Sequence, residues 1–383
     1  MAGGTRSLRT GAVRDRLTWV DGPLVTVVLG SLLIAFSAGL VQVSFGDYTM
    51  SIPAAWRAVF DPVVWTNPQF FLRLFLGDAL GTEVARAVGL STAAVELSRE
   101  TLVVWRIRMP RVVVAAFVGA NLAVSGAVFQ AVTRNELASP YILGVSSGAG
   151  LAILLTLIVF STLTRFLPLI AALGGMLAFL VVYAIAWRGG TSPVRLVLAG
   201  VIVSTVFQSL QTGLFLVADD LAVVQTAIAW TTGSLTGVDW EQVRISLPWT
   251  VVALALALVG SRQLNVLLLG ERTARSLGMR VERTRFLLSG VAILAASTAI
   301  AVAGIVSFVG LIVPHMVRQL VGSDYKRLVV GCLFVGPALM TVADAGARLA
   351  LPSGQVPVGI VTGLIGGPYF LYLMRRTEAL GDL

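Results

Sequence analysis

Charge is what this chain has least of. Only 12% of its 383 residues are Asp, Glu, Lys or Arg, against roughly 25% in a soluble globular domain, so a large water-facing surface is excluded. Histidine and cysteine occur once each. His315, in "GLIVPHMVRQL", has no second histidine and no nearby cysteine with which to complete a metal site. Cys332 lies in an apolar stretch, closes no internal disulfide and by default packs as a small apolar side chain. There is no G-x-x-x-x-G-K-[ST] phosphate loop, so the chain is expected to bind no nucleotide or other cofactor itself. The arginine-rich first 20 residues contain no short apolar stretch ending in a cleavage site, and a cleavable signal peptide is not expected. No strand-like alternation competes with the apolar runs.

Those runs are what the chain has in abundance. It is 57% hydrophobic with a mean hydropathy of +0.89, the profile of a polytopic membrane protein. Crossing a bilayer core takes about 20 apolar residues. Ten candidate spans follow, at 24–43, 112–133, 141–164, 167–187, 196–218, 243–260, 286–304, 305–321, 328–351 and 356–374, with the seventh and eighth poorly separated. Helices satisfy their own backbone in lipid, so the expected fold is an all-α bundle of about ten transmembrane helices. With the N-terminus inside, eighteen of the 28 basic residues fall in cytoplasmic segments and ten outside. Seven of those ten lie in one long segment, 44–111, where charge counts little for orientation. Both termini are therefore expected in the cytoplasm, as tails 1–23 and 377–383 around a membrane domain 24–376. The net charge of +9 is scattered among short loops. That pattern fits cytoplasmic retention and anionic lipid contact, and no nucleic-acid partner is expected.

Several polar groups stand out against this background. "VWRIRMPRVV" places Arg106, Arg108 and Arg111 before the second span, on the outside and against the positive-inside tendency. Arg108 and Arg111 are three apart on one helical face, and Pro110 suits a first helical turn. Snorkelling to headgroups and a functional role both remain open at this point. Asp344, in "LMTVADAGARLAL", is a costly intramembrane carboxylate. Arg348 lies one turn on and forms with it a helix-borne pair on the simplest reading. In the fifth span Ser204, Gln208 and Gln211 share a face, for interhelical hydrogen bonds or for lining a water-filled path. The segment 261–285, "SRQLNVLLLGERTARSLGMRVERTR", is long and charged, with Glu271 and Arg275 paired at i, i+4 and Gly278 placed to end a short helix. It is either a solvated loop or a docking surface for a cytoplasmic partner.

These stretches together resemble the permease family of ATP-binding-cassette importers that take up ferric siderophores, haem and cobalamin, the FecCD family. The likeness is carried by "RIRMPRVVVAAFVGANLAVSGAVFQAVTRNELASPYILGVSSGAG", "LVLAGVIVSTVFQSL", "WTTGSLTGVDWEQV" and "GERTARSLGMRVERTR". Further on come "AVAGIVSFVGLIVPHMVRQLVGSDYKRL", "ADAGARLAL" and "QVPVGIVTGLIGGPYFLYLMRR", all in the family's order from residue 105 to 376. The resemblance implies two permease subunits, paralogues or copies, around one pathway in the cytoplasmic (inner) membrane. Two ATPase subunits, which use ATP and Mg, would dock below, and an external substrate-binding protein above. It implies that Arg108, Arg111 and Arg348 meet acidic residues of the binding protein, arginine's planar fork suiting carboxylates. It also implies ATPase coupling through Leu269, Gly270, Glu271, Ala274, Arg275, Leu277 and Gly278. A cytoplasmic gate is implied near Ser192, Pro193 and Val194, with Ser204, Gln208 and Gln211 along the pathway.

The sequence departs from the family pattern at Glu136, where proline is usual, at Tyr325 in place of a frequent histidine and at Gln355 in place of a frequent glutamate. The external stretch 44–105 is longer than usual, the excess lying around 64–98. That excess is an amphipathic surface helix, an extra docking surface or disordered chain. The expected function is the non-enzymatic transmembrane subunit of an importer, with a ferric siderophore as cargo and cobalamin or haem as alternatives. An ion-coupled secondary transporter would need intramembrane ionisable groups, for which only Asp344 and Glu136 come forward. A signalling or scaffold protein would need a cytoplasmic domain that the sequence does not contain.

Overall fold

The computed structural model describes residues 19–46, 48, 50–93, 95–351 and 354–381, with side chains described as far as residue 372. Most of the tail expected at 1–23 lies outside the described residues. Among those described the chain is helical, the one strand-like contact being a lone bridge between Trp187 and Thr191.

α1 (Gly22–Ser44) leads to a set of short helices, α2 (Ile52–Val59), α3 (Pro62–Trp65), α4 (Pro68–Leu76) and α5 (Asp78–Ala87). α6 (Arg99–Val103) continues through a π-turn, Val104–Arg108, into α7 (Met109–Thr133). α8 (Val145–Leu154) ends in a π-turn and a 3-10 turn before α9 (Leu167–Ala186), α10 (Pro193–Leu216), α11 (Leu221–Thr232) and α12 (Trp240–Leu268). Then come α13 (Glu271–Ser276), α14 (Val281–Ala303), α15 (Val309–Val321), α16 (Tyr325–Leu349) and α17 (Val358–Gly381).

Among the described residues, seven helical stretches are long and apolar enough to cross a membrane, and four shorter apolar ones accompany them. Seven of the ten expected spans fall on the long stretches. Those at 141–164, 305–321 and 356–374 fall on shorter helices, Val145–Val159, Val309–Val321 and Val358–Tyr372. α11 was not expected, because twelve residues between Asp220 and Gly233 fall short of a span. The last helix runs to Gly381, so the tail expected at 377–383 is mostly helical in backbone. The poorly separated seventh and eighth spans part at 304–308, where Gly304 and Phe308 take positive φ of 69° and 67°. The backbone freed there is taken up by α11 and its exit. Ile305 N–H donates to Trp230 O at 2.9 Å, and Ser234 N–H to Ala303 O at 2.8 Å. Irregular backbone at membrane depth persists only when it is satisfied in this way.

α7 is the axis of the bundle, buried along most of its length and packed on α12, α14, α15 and α16. Lipid tails are as apolar as leucine, so burial alone does not join membrane helices; close backbone approach does. A Cβ on Gly126 would overlap the Gly310 carbonyl, and one on Gly119 the Gly336 carbonyl. Glycine at these crossings brings α15 and α16 onto α7.

Contacts sort the helix ends. At one end Asp21 pairs with Arg327 at 2.7 Å, and Asn265 holds Asp324 and the Tyr325 N–H at 2.8 Å each. At the other, Trp240 Nε1–H donates to Trp105 O at 2.6 Å and Trp105 Nε1–H to Ala58 O at 3.0 Å, among the rings of Trp65, Phe70 and Phe71. The long segment 64–98 belongs to this second end and is largely helical there. Phe75 packs on Trp240 at 5.1 Å between ring centroids, and Arg244 donates to Leu74 O at 3.0 Å. The described part of this segment is thus folded onto the bundle rather than disordered.

Candidate functional sites at the two ends of the bundle

The helix that begins at Arg99 passes Pro110 without interruption, so Pro110 lies inside a helical run rather than at its start. Proline cannot donate to the turn before it and its ring crowds that turn. The π-turn Val104–Arg108, closed by Met109 N–H on Val104 O, widens the helix at that place. Such turns cluster at functional sites. This one gives Arg108 and Arg111 different targets.

Both side chains are buried, Arg108 2% and Arg111 6% exposed. Arg108 donates to the carbonyls of Val43, in the last turn of α1, and of Tyr48 just past it. Arg111 grips Asp344 with two parallel bonds, Nε–Oδ2 and Nη2–Oδ1, each 2.8 Å. Its Nη1 donates to Gln355 Oε1, which also accepts from Thr236 at 3.1 Å. Gln42 Nε2 completes the shell of Asp344. The expected partner of Asp344 was Arg348, one turn along; the carboxylate is instead held bidentately from α7. Arg348 is half-buried and donates to Gln42 O at 2.8 Å. A Cβ on Gly46 would sit 2.7 Å from Arg348 Nη2 and 3.1 Å from Arg108 Nη2, so these two guanidiniums converge on the chain leaving α1. The three arginines grouped by sequence reading lie near one another, around the end of α1 and Asp344. That reading missed Gln42, which carries no motif signal, and the use of Gln355 as a neutral acceptor. Arg106 is the exposed member of the series.

On α10, Ser204 and Gln211 are used for packing. Ser204 Oγ accepts from Ser147 at 3.2 Å, and Gln211 Nε2 donates to Ser147 O at 2.9 Å. Gln208 is exposed, together with Thr205, Ser209 and Thr212. The three residues expected on one face are therefore divided between a helix contact and an open surface.

At the opposite end the segment 269–278 forms the short helix α13. Gly278 N–H bonds to Arg275 O at 2.9 Å and Met279 N–H to Ala274 O at 3.0 Å, with Gly278 at φ 81°. This double bond pattern around a left-handed glycine is a Schellman stop, as the placement of Gly278 predicted. Gly270, at φ 96°, precedes the helix, and Glu271 pairs with Arg275 at 3.5 Å. Ala274 is fully buried within the chain itself, whereas Leu269 and Leu277 are 59% and 63% exposed. The exposed apolar side chains that flank α13 are thus Leu269 and Leu277.

Near the start of α10, Ser192 caps the helix through the Arg195 N–H, Pro193 occupies its first turn and Val194 is exposed. Ahead of them lies a tight turn, bridged from Trp187 to Thr191. This turn and α13 meet at one side chain that sequence reading passed over as a cytoplasmic charge, Arg285. Glu136 is exposed at the same end, beside Arg318 at 3.4 Å.

The sequence profile of the FecCD transport family matches residues 32–376. The iron(3+)-hydroxamate import system permease protein FhuG of Bacillus subtilis is 37% identical over 321 residues, 81% of this chain and 94% of its own. The cobalamin import system permease protein BtuC of Halobacterium salinarum is 42% identical over 278 residues, covering 72% and 74%. The Fe(3+) dicitrate transport system permease protein FecD of Escherichia coli is 40% identical over 270 residues, covering 70% and 84%. Among solved structures, a metal-chelate type ABC transporter in an inward-facing conformation superposes with a TM-score of 0.73 at 25% identity, over 92% of this chain and 99% of that one. Motifs, helix order and a match along nearly the whole membrane region agree: the chain belongs to the FecCD transport family and is a multi-pass membrane permease.

Proposed function

We propose that the chain is one of two transmembrane subunits of an ATP-driven importer in the cytoplasmic membrane, carrying a ferric siderophore delivered by an external binding protein. The observation that carries this is the open face of α10. Thr205, Gln208, Ser209 and Thr212 are exposed along one side of α10; the three hydroxyls bond back to their own helix, but the Gln208 amide faces outward, and such a polar group facing lipid is costly. A second permease subunit, a paralogue or a copy, supplies the missing wall and encloses a polar path. The end bearing α13 carries Arg262, Arg272, Arg275, Arg280 and Arg283 and is assigned to the cytoplasm, with both termini on that side. ATP and Mg are then handled by two ATPase subunits docked at α13, and the arginine end faces the binding protein.

Ion-coupled transport is disfavoured by the two carboxylates it would use. Asp344 is locked in a bidentate pair with Arg111, and Glu136 is exposed outside the helices. For the cargo, the hydroxamate and dicitrate relatives support a ferric chelate. The cobalamin permease at 42% identity keeps a corrinoid as the second reading. The test is the chain reconstituted in proteoliposomes with its ATPase subunits and binding protein. ATP without an ion gradient should drive uptake of a radiolabelled ferric siderophore, and native mass should count two permease subunits. Uptake that needs a gradient and ignores ATP overturns the proposal; uptake of cobalamin alone moves the cargo to the second reading.

A further inference from the structure

We propose that Arg285 is a positioning residue that ties α13 to the turn opening α10, so that displacement of α13 is delivered to that turn. The proposal rests on α13 being the contact for the ATPase. Arg285 lies near the start of α14, and its side chain is 1% exposed. Its two terminal nitrogens point at different elements. Nη2 donates to Glu271 Oε1 of α13 at 2.7 Å. Nη1 donates to the Thr191 carbonyl, to Thr191 Oγ1 at 3.1 Å and to Glu282 Oε1 at 3.1 Å. Glu282 in turn accepts from the Thr191 N–H at 2.9 Å and from Thr191 Oγ1 at 2.7 Å. The guanidinium is planar and rigid, so its two arms hold the α13 carboxylate and the turn at a fixed separation.

Both attached pieces are built to move as units. α13 is closed by its Schellman stop and flanked by Gly270 and Gly278, each at positive φ. It is fastened to the rest of the chain by buried Ala274 and by Glu271. The turn is bridged from Trp187 to Thr191, and Arg195 of α10 donates to Gly190 O at 3.0 Å. It therefore shifts together with the first turn of α10. Gly190 admits the Glu282 carboxylate, which would lie 3.2 Å from a Cβ there. Stability alone is weak ground for the cluster. A buried charge group is often replaceable by apolar side chains without loss, and Arg285 Nε has no hydrogen-bond partner among the described residues.

The experiment uses the full chain in its reconstituted complex, with cargo moved per ATP hydrolysed as the readout. Glu271→Ala removes the α13 anchor. Arg285→Lys keeps the charge and removes the fork. Glu271→Gln keeps an acceptor for Nη2. The first two should each lower cargo per ATP about tenfold, within the usual span of coupling between sites. Glu271→Gln should retain most of it. Because the two changes break one link, the double variant should be no worse than either single. Independently of ATP, spin labels at Ser276→Cys and Arg188→Cys should give a narrow distance distribution that broadens in Glu271→Ala. Normal cargo per ATP in Glu271→Ala, a double variant that falls by the product of the singles, or an unchanged label distribution each overturns the link. Absence of ATP-driven uptake in the unmodified complex would instead sink the proposed function, and the label distances would still decide whether α13 and the turn are tied.

Discussion

The two ends of the bundle each bury an arginine against carboxylates, with different consequences. Arg111 and Asp344 join α7 and α16, long helices already packed glycine against backbone. Both side chains are buried, 7% and 0% exposed. Arg285 joins short and peripheral pieces through carboxylates that are a third to a quarter exposed, Glu271 at 33% and Glu282 at 27%. The same chemistry thus locks helices in one place and links movable parts in the other. What differs is how firmly the partners are held by everything else.

The largest effect should come from breaking the locked end. Asp344→Ala leaves Arg111 buried without its counter-charge, which costs about 3–5 kcal/mol, and thermal unfolding of the purified permease should show it. Asp344→Asn, which keeps an acceptor, should cost less. If both leave the melting temperature unchanged, the Arg111–Asp344 pair is not a lock.

Next comes Ala274→Asp. Because Ala274 faces its own chain, the new carboxyl group is buried and driven to its neutral form, at a cost of about 1–3 kcal/mol as for a buried polar group, and unfolding should register that before any partner is added. Leu269→Ala and Leu277→Ala should stay within about 0.5 kcal/mol of the parent, as exposed substitutions do, yet reduce the ATPase that co-purifies. Equal ATPase recovery from both leucine variants would remove α13 as the contact.

Gly278→Ala is smaller again. A side chain at φ 81° costs about 1–2 kcal/mol, local to the Schellman stop, and cargo per ATP should fall more than the melting temperature does. The smallest effects belong to the rim at the arginine end. Arg348→Ala and Arg106→Ala should each weaken binding-protein affinity by about 1 kcal/mol or less. Reversal to Glu should do more harm, and the salt dependence of docking should flatten. Affinity that responds to Arg106 and ignores Arg348 would move the docking rim towards the α4–α5 side of the protein, where Arg106 borders a cleft with Arg73 and Arg244.

Apolar length and scarcity of charge determined the all-helical membrane fold, and motif order determined the family. Both are properties of the chain read one segment at a time. Gly278 was legible as a helix stop because a left-handed terminus selects glycine locally. α11 was not legible, because a twelve-residue helix propped on the break at 304–308 has no span-length signal. The partner of Asp344 could not be read either. Arg348 was near in sequence, but a π-turn beside Pro110 and two glycine crossings brought Arg111 to the carboxylate, 233 residues away in the chain. Arg285 looked like one more cytoplasmic positive charge. Only the packing of α14 against α13 and the 187–192 turn removed it from water and gave its two arms separate partners. Spacing along one helix is fixed by the sequence, but the pairing of buried charges depends on which helices approach closely enough to exclude solvent, and that is decided in three dimensions.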